Sequence, residues 1–353
     1  MIKVGSDFSG VGAFNQALMR LGIEYKELFA CDMDKYARQT FIHNYGEPEY
    51  YPTNVYEREI PSESLDIYMT SPPCQAFSLA GKRLGKDDKR GILFFNSYEF
   101  IQVNKPKYFI FENVKGLLSD DGGKTFQEWV NMLGGKSVNG VPVLFPYEES
   151  VPYHLYWKVL NAKEHGVPQN RERVFLIGIR NDNDNTFRFP KEESLKKRLK
   201  NVLEDDVDDK YFLSKERIDT ITKAERSIGW TDAESKNTAN CVLTGYAKNP
   251  TDGEYLKIGD YRTDEGFRWR ADGNSPAIMA MMRDTWKENF TGQNPPIINK
   301  DYKIRRLTPR ECFRLMDFPD SFTWNVSDSQ AYKQAGNSIV VNVLYKILKN
   351  LNL

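Results

Sequence analysis

The sequence predicts an α/β fold, a doubly wound, mostly parallel sheet covered by helices, with a second, smaller, irregular domain set into it. Three observations predict this. Short apolar runs bounded by turn residues alternate with longer amphipathic segments through about residue 180. After Asn181 the texture turns charged and irregular: Lys191 to Asp209 is highly charged, and Gly245 to Gln293 is rich in Gly, Asn, Asp, Arg and aromatics. Helical signals then return near the carboxyl end. With 353 residues the chain has room for two domains. The expected division is a large domain from 1–183 plus 303–353, interrupted by a smaller one at 184–302.

Taken in order, the strands are expected at Lys3–Asp7, Glu27–Ala30, Asp66–Thr70, Tyr108–Phe111, Tyr156–Leu160 and Val174–Ile179. Each is a short apolar run of the kind a sheet buries on both faces. Gly12–Leu21 and Lys35–Asn44 read as helices, with Ala13, Ala17 and Leu21 spaced to face the sheet. Asn181 to Asn185 reads as a linker. Thr308-Pro309-Arg310-Glu311 reads as a helix start, because threonine caps and proline suits the first turn. Asn337 to Leu351 reads as the last helix, with Ile339, Val343, Ile347 and Leu351 recurring every fourth residue.

Composition narrows the function classes. The 49 basic and 49 acidic residues balance, so a nucleic-acid partner is not announced by net charge and a basic surface must come from local clustering. Cysteines stand at 31, 74, 241 and 312 without CxxC spacing, which argues against a disulfide framework or a zinc site and for a reducing compartment. No apolar run reaches about 18 residues, and the amino terminus enters Ile2-Lys3-Val4-Gly5 directly, so a cytoplasmic protein with no membrane partner and no metal is expected.

Two segments carry chemistry. Pro72-Pro73-Cys74-Gln75 follows a strand, so a thiol is delivered at the strand's mouth; Lys82, Arg83, Lys86, Lys89 and Arg90 after it supply the positive potential that favours a thiolate. Asp7-Phe8-Ser9-Gly10-Val11-Gly12 is a glycine-bearing turn opening a helix, and about 20 residues on the second strand ends at Cys31-Asp32-Met33-Asp34, where an acid can accept from a ribose diol. A dinucleotide fingerprint would want a glycine at Asn15, so a nicotinamide cofactor is disfavoured. The residues themselves say an adenosine-like ligand, not which one.

In order along the chain stand Asp7–Gly12, Pro72-Pro73-Cys74-Gln75 with Phe77-Ser78, Phe111-Glu112-Asn113-Val114, Gln169-Asn170-Arg171-Glu172-Arg173-Val174, Arg306-Leu307-Thr308-Pro309-Arg310-Glu311-Cys312 and Gln334-Ala335-Gly336-Asn337-Ser338. In these motifs the chain resembles the DNA (cytosine-5)-methyltransferases, most closely the compact bacterial enzymes of restriction-modification systems. The resemblance implies a Rossmann-like fold that binds S-adenosylmethionine and transfers its methyl group to carbon 5 of a cytosine swung out of double-stranded DNA. It implies Cys74 as nucleophile at carbon 6, Glu112 as proton donor to N3, Arg173 at the O2 carbonyl, Arg171 in support, and Asn113 shaping the Glu112 turn. Gln75, Ser78 and Arg90 would contact DNA. The cofactor would lie against Asp7, Phe8, Ser9, Gly10, Gly12 and Pro72, with its ribose on Asp32, its adenine against Met33, and Asn337 and Ser338 closing the pocket. Asn54 stands where relatives usually carry an aspartate that accepts from the adenine amino group; an amide oxygen still accepts.

Segment 184–302, with Arg262, Arg268, Arg270 and Arg283 among Tyr261, Phe267, Trp269 and Trp286, is the candidate target-recognition domain. The resemblance also implies a monomer in a bacterial or phage-infected cell, with a cognate endonuclease as a possible companion. A transfer-RNA methyltransferase shares Pro-Pro-Cys and Glu-Asn-Val, but its Cys-Phe-Thr signature is absent. A module that has lost catalysis is not supported, because Cys74, Glu112 and Arg173 are all present.

Overall fold

The structure, a computed structural model, describes residues 1–72, 92–182, 186–214, 230–232, 237–239, 241–242, 255–262, 266–268 and 301–353. Its frame is an eight-stranded sheet: β1 (Ile2–Asp7), β2 (Tyr25–Cys31), β3 (Ile67–Thr70), β4 (Tyr108–Val114), β5 (Ser137–Val138), β6 (Val141–Pro142), β7 (Tyr153–Asn161) and β8 (Glu172–Arg180). Across the sheet the order is β2-β1-β3-β4-β8-β7-β5-β6. From β1 the chain steps outward to β2, then returns to place β3 on the other side of β1. That reversal opens a crevice above the carboxyl ends of β1 and β3.

Strands β1 to β4 run parallel, but β8 is antiparallel to both β4 and β7. The sheet is therefore the mostly parallel one expected, made mixed by the antiparallel course of β8. The reason lies in the connection: only residues 162–171 separate β7 from β8, enough for the short turn Ala162–His165 but not for a crossover helix. The antiparallel course brings the start of β8, rather than its end, to the crevice.

Both faces of the sheet are covered. On one face Val4, Ile67, Met69, Ile110, Phe175 and Ile177 pack in one buried cluster; on the other Phe29, Tyr68, Phe109, Phe111, Val174 and Leu176 pack in a second. The alternation along each strand is the period-two projection of side chains. Helices α1 (Ala13–Leu21) and α2 (Lys35–Tyr45) precede α3 (Ile92–Asn104) and α4 (Lys124–Leu133), and α3 and α4 supply Phe94, Phe100, Trp129 and Leu133 to the second face.

The carboxyl end returns to the first face as α5 (Pro309–Leu315), α6 (Asp328–Asn337) and α7 (Val341–Lys349). Helix α5 begins with the expected cap: the Thr308 side chain accepts from Glu311 N, and the Glu311 carboxylate accepts from Thr308 N. The expected single helix from Asn337 to Leu351 is instead two. Asn337 is the last residue of α6, Ser338 is extended at φ −70° and ψ 161°, and α7 starts at Val341. Ile339, Val343, Ile347 and Leu351 are nonetheless buried, because the four-residue spacing fits α7 and the chain on either side of it.

A second sheet has β11 (Gly266–Arg268), β10 (Tyr255–Arg262) and β12 (Asp301–Arg306) in that order, with β9 (Trp230–Asp232) also paired to β10. It occupies a stretch whose composition shows no strand pattern. Phe187, Leu199, Val202 and Tyr211, beyond the change of texture at 184, pack in the same cluster as Val4 and Ile67, so contact with the main sheet continues past that point. Among the described residues no helix is long and apolar enough to cross a membrane.

His165 is fully buried in the turn after β7, with no hydrogen-bond partner for either ring nitrogen among the described residues. Burial, reinforced by Lys346 and Lys158, pushes its pKa down to about 4. The unfolded chain, with an ordinary histidine near ~6.5, takes up the proton first. Stability from this group is thus complete above pH ~6.5 and falls by up to about 3 kcal/mol as pH drops toward the folded value. Urea midpoints from pH 7 to 4 are expected to fall less steeply in His165→Phe than in wild type; equal slopes would contradict this account.

Candidate active site

The crevice is floored by the glycine turn after β1. Phe8 sits at φ +57° and Gly10 and Gly12 at φ +56° and +80°, a left-handed path that turns the chain sharply into α1. At Gly12 the requirement is also one of space, since a Cβ there would lie 2.2 Å from the Tyr45 ring, whose hydroxyl donates to the Gly12 carbonyl at 3.0 Å. At Gly10 a Cβ would meet nothing within 4 Å among the described residues, which leave space above the turn. Ser9 is held by its amide to the Cys31 carbonyl, and its hydroxyl shares a 3.3 Å hydrogen bond with Tyr51.

Asp32 joins the two strands. Its carboxylate accepts from Gly10 N at 2.7 Å and Asp34 N at 2.8 Å, one bond on each oxygen. Burial raises its pKa while those amides oppose the rise. A carboxylate has about four acceptor positions, so each oxygen keeps room for another donor. Beside it Met33 is 86% exposed, a large apolar side chain with nothing covering it. Asn54 uses its Oδ1 to accept from Tyr56 N at 3.1 Å, closing its own turn. The side chain of Asp7 does not face the crevice: it is fully buried against Arg58 and Tyr68.

The catalytic candidates meet where β3, β4 and β8 converge. Register sets Thr70 beside Phe111 and Val114 beside Arg173, which places Ser71, Glu112 and Arg173 together at one end of the sheet. Glu112 is 5% exposed and gripped on both oxygens: Arg173 Nε lies 3.1 Å from Oε1, and Ser71 Oγ donates to Oε2 at 2.7 Å. Arg173 also donates through Nη1 to the Glu172 carbonyl at 2.7 Å, which fixes its plane. Asn113 donates from Nδ2 to the Pro72 carbonyl at 3.2 Å, tying β4 to the segment that leads to Cys74. Cys74, Gln75, Ser78 and Arg90 lie outside the described residues, as do Trp269, Arg270, Arg283 and Trp286. Tyr261 and Arg262 are on β10, and Phe267 and Arg268 on β11.

Arg171 is buried, and its two terminal nitrogens reach mainly backbone: Nη2 to the Gly336 and Ser338 carbonyls at 2.9 and 2.8 Å, Nη1 to the Val242 carbonyl at 3.0 Å and to Cys241 Sγ at 3.2 Å. Burial lowers its pKa to about 10, with Arg173 adding to the effect. Through these bonds the Asn337–Ser338 turn is fastened to the start of β8. Gln334 fastens α6 to α2, accepting from Thr40 Oγ1 at 3.0 Å and donating to the Tyr36 carbonyl at 2.9 Å. Lys333 reaches Asp34, the α2 cap, at 2.5 Å.

Sequence reading singles out none of Ser71, Arg58 and Tyr68, and names Gln334 only within its motif. Ser71 had a signal, a hydroxyl directly before Pro-Pro-Cys; the others act through partners distant in the chain.

Comparison with known proteins identifies the family. The model of the C-5 cytosine-specific DNA methylase family matches residues 2–352. The type II methyltransferase M.HhaI of Haemophilus parahaemolyticus is 34% identical over 346 residues, covering 98% of this chain and 92% of that protein. M.HpaII of Haemophilus parainfluenzae is 35% identical over 356 residues, covering 98% and 88%. The orphan methyltransferase M.SPRI of Bacillus phage SPR is 30% identical over 443 residues, covering 99% and 97%. The crystal structure of the S. pombe Dnmt2 methyltransferase superposes with a TM-score of 0.72 over the whole of both chains at 21% identity, a likeness of fold. The chain belongs to the family of C-5 cytosine-specific DNA methylases and is an enzyme of that class.

Proposed function

We propose that this protein transfers the methyl group of S-adenosylmethionine to carbon 5 of a cytosine flipped out of a specific duplex DNA sequence, through a covalent bond between Cys74 and carbon 6. The observation that carries the reading is the grip on Glu112, a nearly buried carboxylate held by Arg173 and Ser71 beside the chain that leads to Cys74.

The crevice fits the donor. Gly10 leaves space above the turn, Asp32 keeps acceptor capacity for a ribose diol, and bare Met33 offers an apolar surface for a flat base. Asp7 would contribute through its backbone, Phe8, Ser9, Gly12 and Pro72 would line the methionine end, and Asn337 and Ser338 would close the pocket. Asn54 would meet the adenine with an oxygen that already accepts one bond. When bound, the donor supplies an electrophilic methyl group.

Every other step falls to the chain. Carbon 5 of cytosine is a poor nucleophile until something adds at carbon 6, and a thiolate at Cys74 does this. As the carbon–sulfur bond forms, Glu112 in its acid form gives a proton to N3, so that negative charge does not build on the ring. Arg173 stabilises the charge that collects at O2 and keeps Glu112 in place. Arg171 and Asn113 serve as positioning residues, holding the pocket wall and the Pro72 carbonyl. After methylation the proton on carbon 5 leaves to a base, the carbon–sulfur bond breaks, N3 returns its proton to Glu112, and the Cys74 thiolate is released. The second sheet and the segments around it would read the sequence. The modification enzyme of a restriction-modification system or an orphan methylase is the biological setting, as the relatives' names suggest.

Duplex DNA carrying 5-fluorocytosine tests the reading. Fluorine cannot leave as a proton does, so a Cys74 adduct is expected by mass spectrometry after incubation with cofactor. Absence of the adduct, or methyl transfer to transfer RNA but not to duplex DNA, would overturn it.

A further inference from the structure

Arg58 is a charged residue in an unexpected place. It stands in the loop between α2 and β3, and its side chain is 2% exposed. Its Nε lies 3.0 Å from Asp7 Oδ1, whose other oxygen accepts from the Tyr68 hydroxyl at 2.5 Å. A second nitrogen, Nη2, donates to the Asn96 carbonyl in α3 at 3.4 Å. The guanidinium lies 4.6 Å from the Phe100 ring centroid and 5.6 Å from that of Phe29, and Tyr68 stacks on Phe100 at 4.1 Å.

Stability alone is a weak reason for such a pair. Taking two charges out of water is costly, and apolar side chains of similar volume often do as well. The surroundings are already aromatic and would accept them. What an apolar side chain cannot do is hold two partners in fixed directions, as a planar guanidinium fork does. Its partners are telling. Asp7 is the last residue of β1, and the left-handed turn at Phe8 follows immediately. Asn96 lies in α3, the first described element after Cys74 in the chain, and α3 is also bound to the end of β3 through Thr70 and Ser97, whose hydroxyls are 2.8 Å apart.

We propose that Arg58 is a positioning residue for methyl transfer: it ties the end of β1, under the cofactor turn, to α3, so that the two keep one mutual placement. The proposal rests on the reading of that turn as the cofactor's floor. Arg58 touches neither cofactor nor base; it acts through Asp7 and Asn96.

The test compares wild type, Arg58→Met and Arg58→Lys by thermal melting, S-adenosylmethionine titration calorimetry and single-turnover methylation at saturating cofactor. Methionine keeps the length without donors, and lysine keeps the charge without the fork. At temperatures where each is folded, Arg58→Met is expected to bind cofactor about 10-fold more weakly and to turn over about 10-fold more slowly, the scale of a small misplacement. Arg58→Lys is expected to melt near wild type yet fall between the two in affinity and rate. A folded Arg58→Met with wild-type affinity and rate, whatever its melting temperature, overturns the proposal. Should Arg58→Met fail to fold, wild-type affinity and rate in Arg58→Lys overturns it. Wild-type protein that binds no S-adenosylmethionine overturns the cofactor reading itself, and the proposal with it.

Discussion

Cys74→Ala is expected to abolish methyl transfer while leaving S-adenosylmethionine affinity within about twofold of wild type, because the thiol acts on the base and not on the donor. Ser71 could not replace it, because its hydroxyl is committed to Glu112 and is a far weaker nucleophile than a thiolate. Glu112→Gln is the companion variant. The amide keeps the volume and can still accept from Ser71, so fold and cofactor binding should persist. It cannot deliver a carboxyl proton to N3, and a rate loss of about 10²- to 10⁴-fold is expected. Single-turnover assays with radiolabelled cofactor, beside calorimetric titration of each variant, check both. Turnover near wild type in Cys74→Ala would contradict covalent catalysis; a comparable loss of cofactor affinity would move Cys74 to the donor side of the site.

Arg171→Met is expected to be the most damaging change to stability, at about 3–5 kcal/mol, because it strands three backbone carbonyls, those of Val242, Gly336 and Ser338, in a buried site. The Asn337–Ser338 turn and the segment 241–242 would both lose their attachment to β8. Cofactor affinity should fall with stability if that turn closes the pocket. Denaturant unfolding measures the first effect and calorimetry the second. A stability within about 1 kcal/mol of wild type would mean that the carbonyls find other donors. Arg173→Met should behave differently. Its ion pair with Glu112 is partly exposed, so the loss should appear in rate more than in stability.

Much of the site was legible because its chemistry is local. Glu112 stands near the end of an apolar run that is β4, and Asp32 directly follows β2, so each could be placed at a strand end from neighbouring residues alone. The glycine turn was legible for the same reason, since Gly10 and Gly12 are needed for its positive φ angles. Asp7 shows the limit. It belongs to the motif, but whether its carboxylate faces a ligand or the core depends on Arg58, 51 residues away in the chain. The end of α6 shows another: four-residue spacing fits both one long helix and a helix preceded by a turn, and the Arg171 bonds to the Gly336 and Ser338 carbonyls belong to the second.

By itself the sequence determined which side chains are candidates for the chemistry, their order, and the α/β character of the sheet, because these follow from residue type and from apolar periodicity over a few neighbours. Only the tertiary structure decided that β8 runs antiparallel and so sets Arg173 against Glu112, that Arg171 serves the backbone, and that Asp7 is locked to Arg58. Those outcomes depend on strand order and on burial of charge, in which partners far apart in the chain settle the energy of each group together.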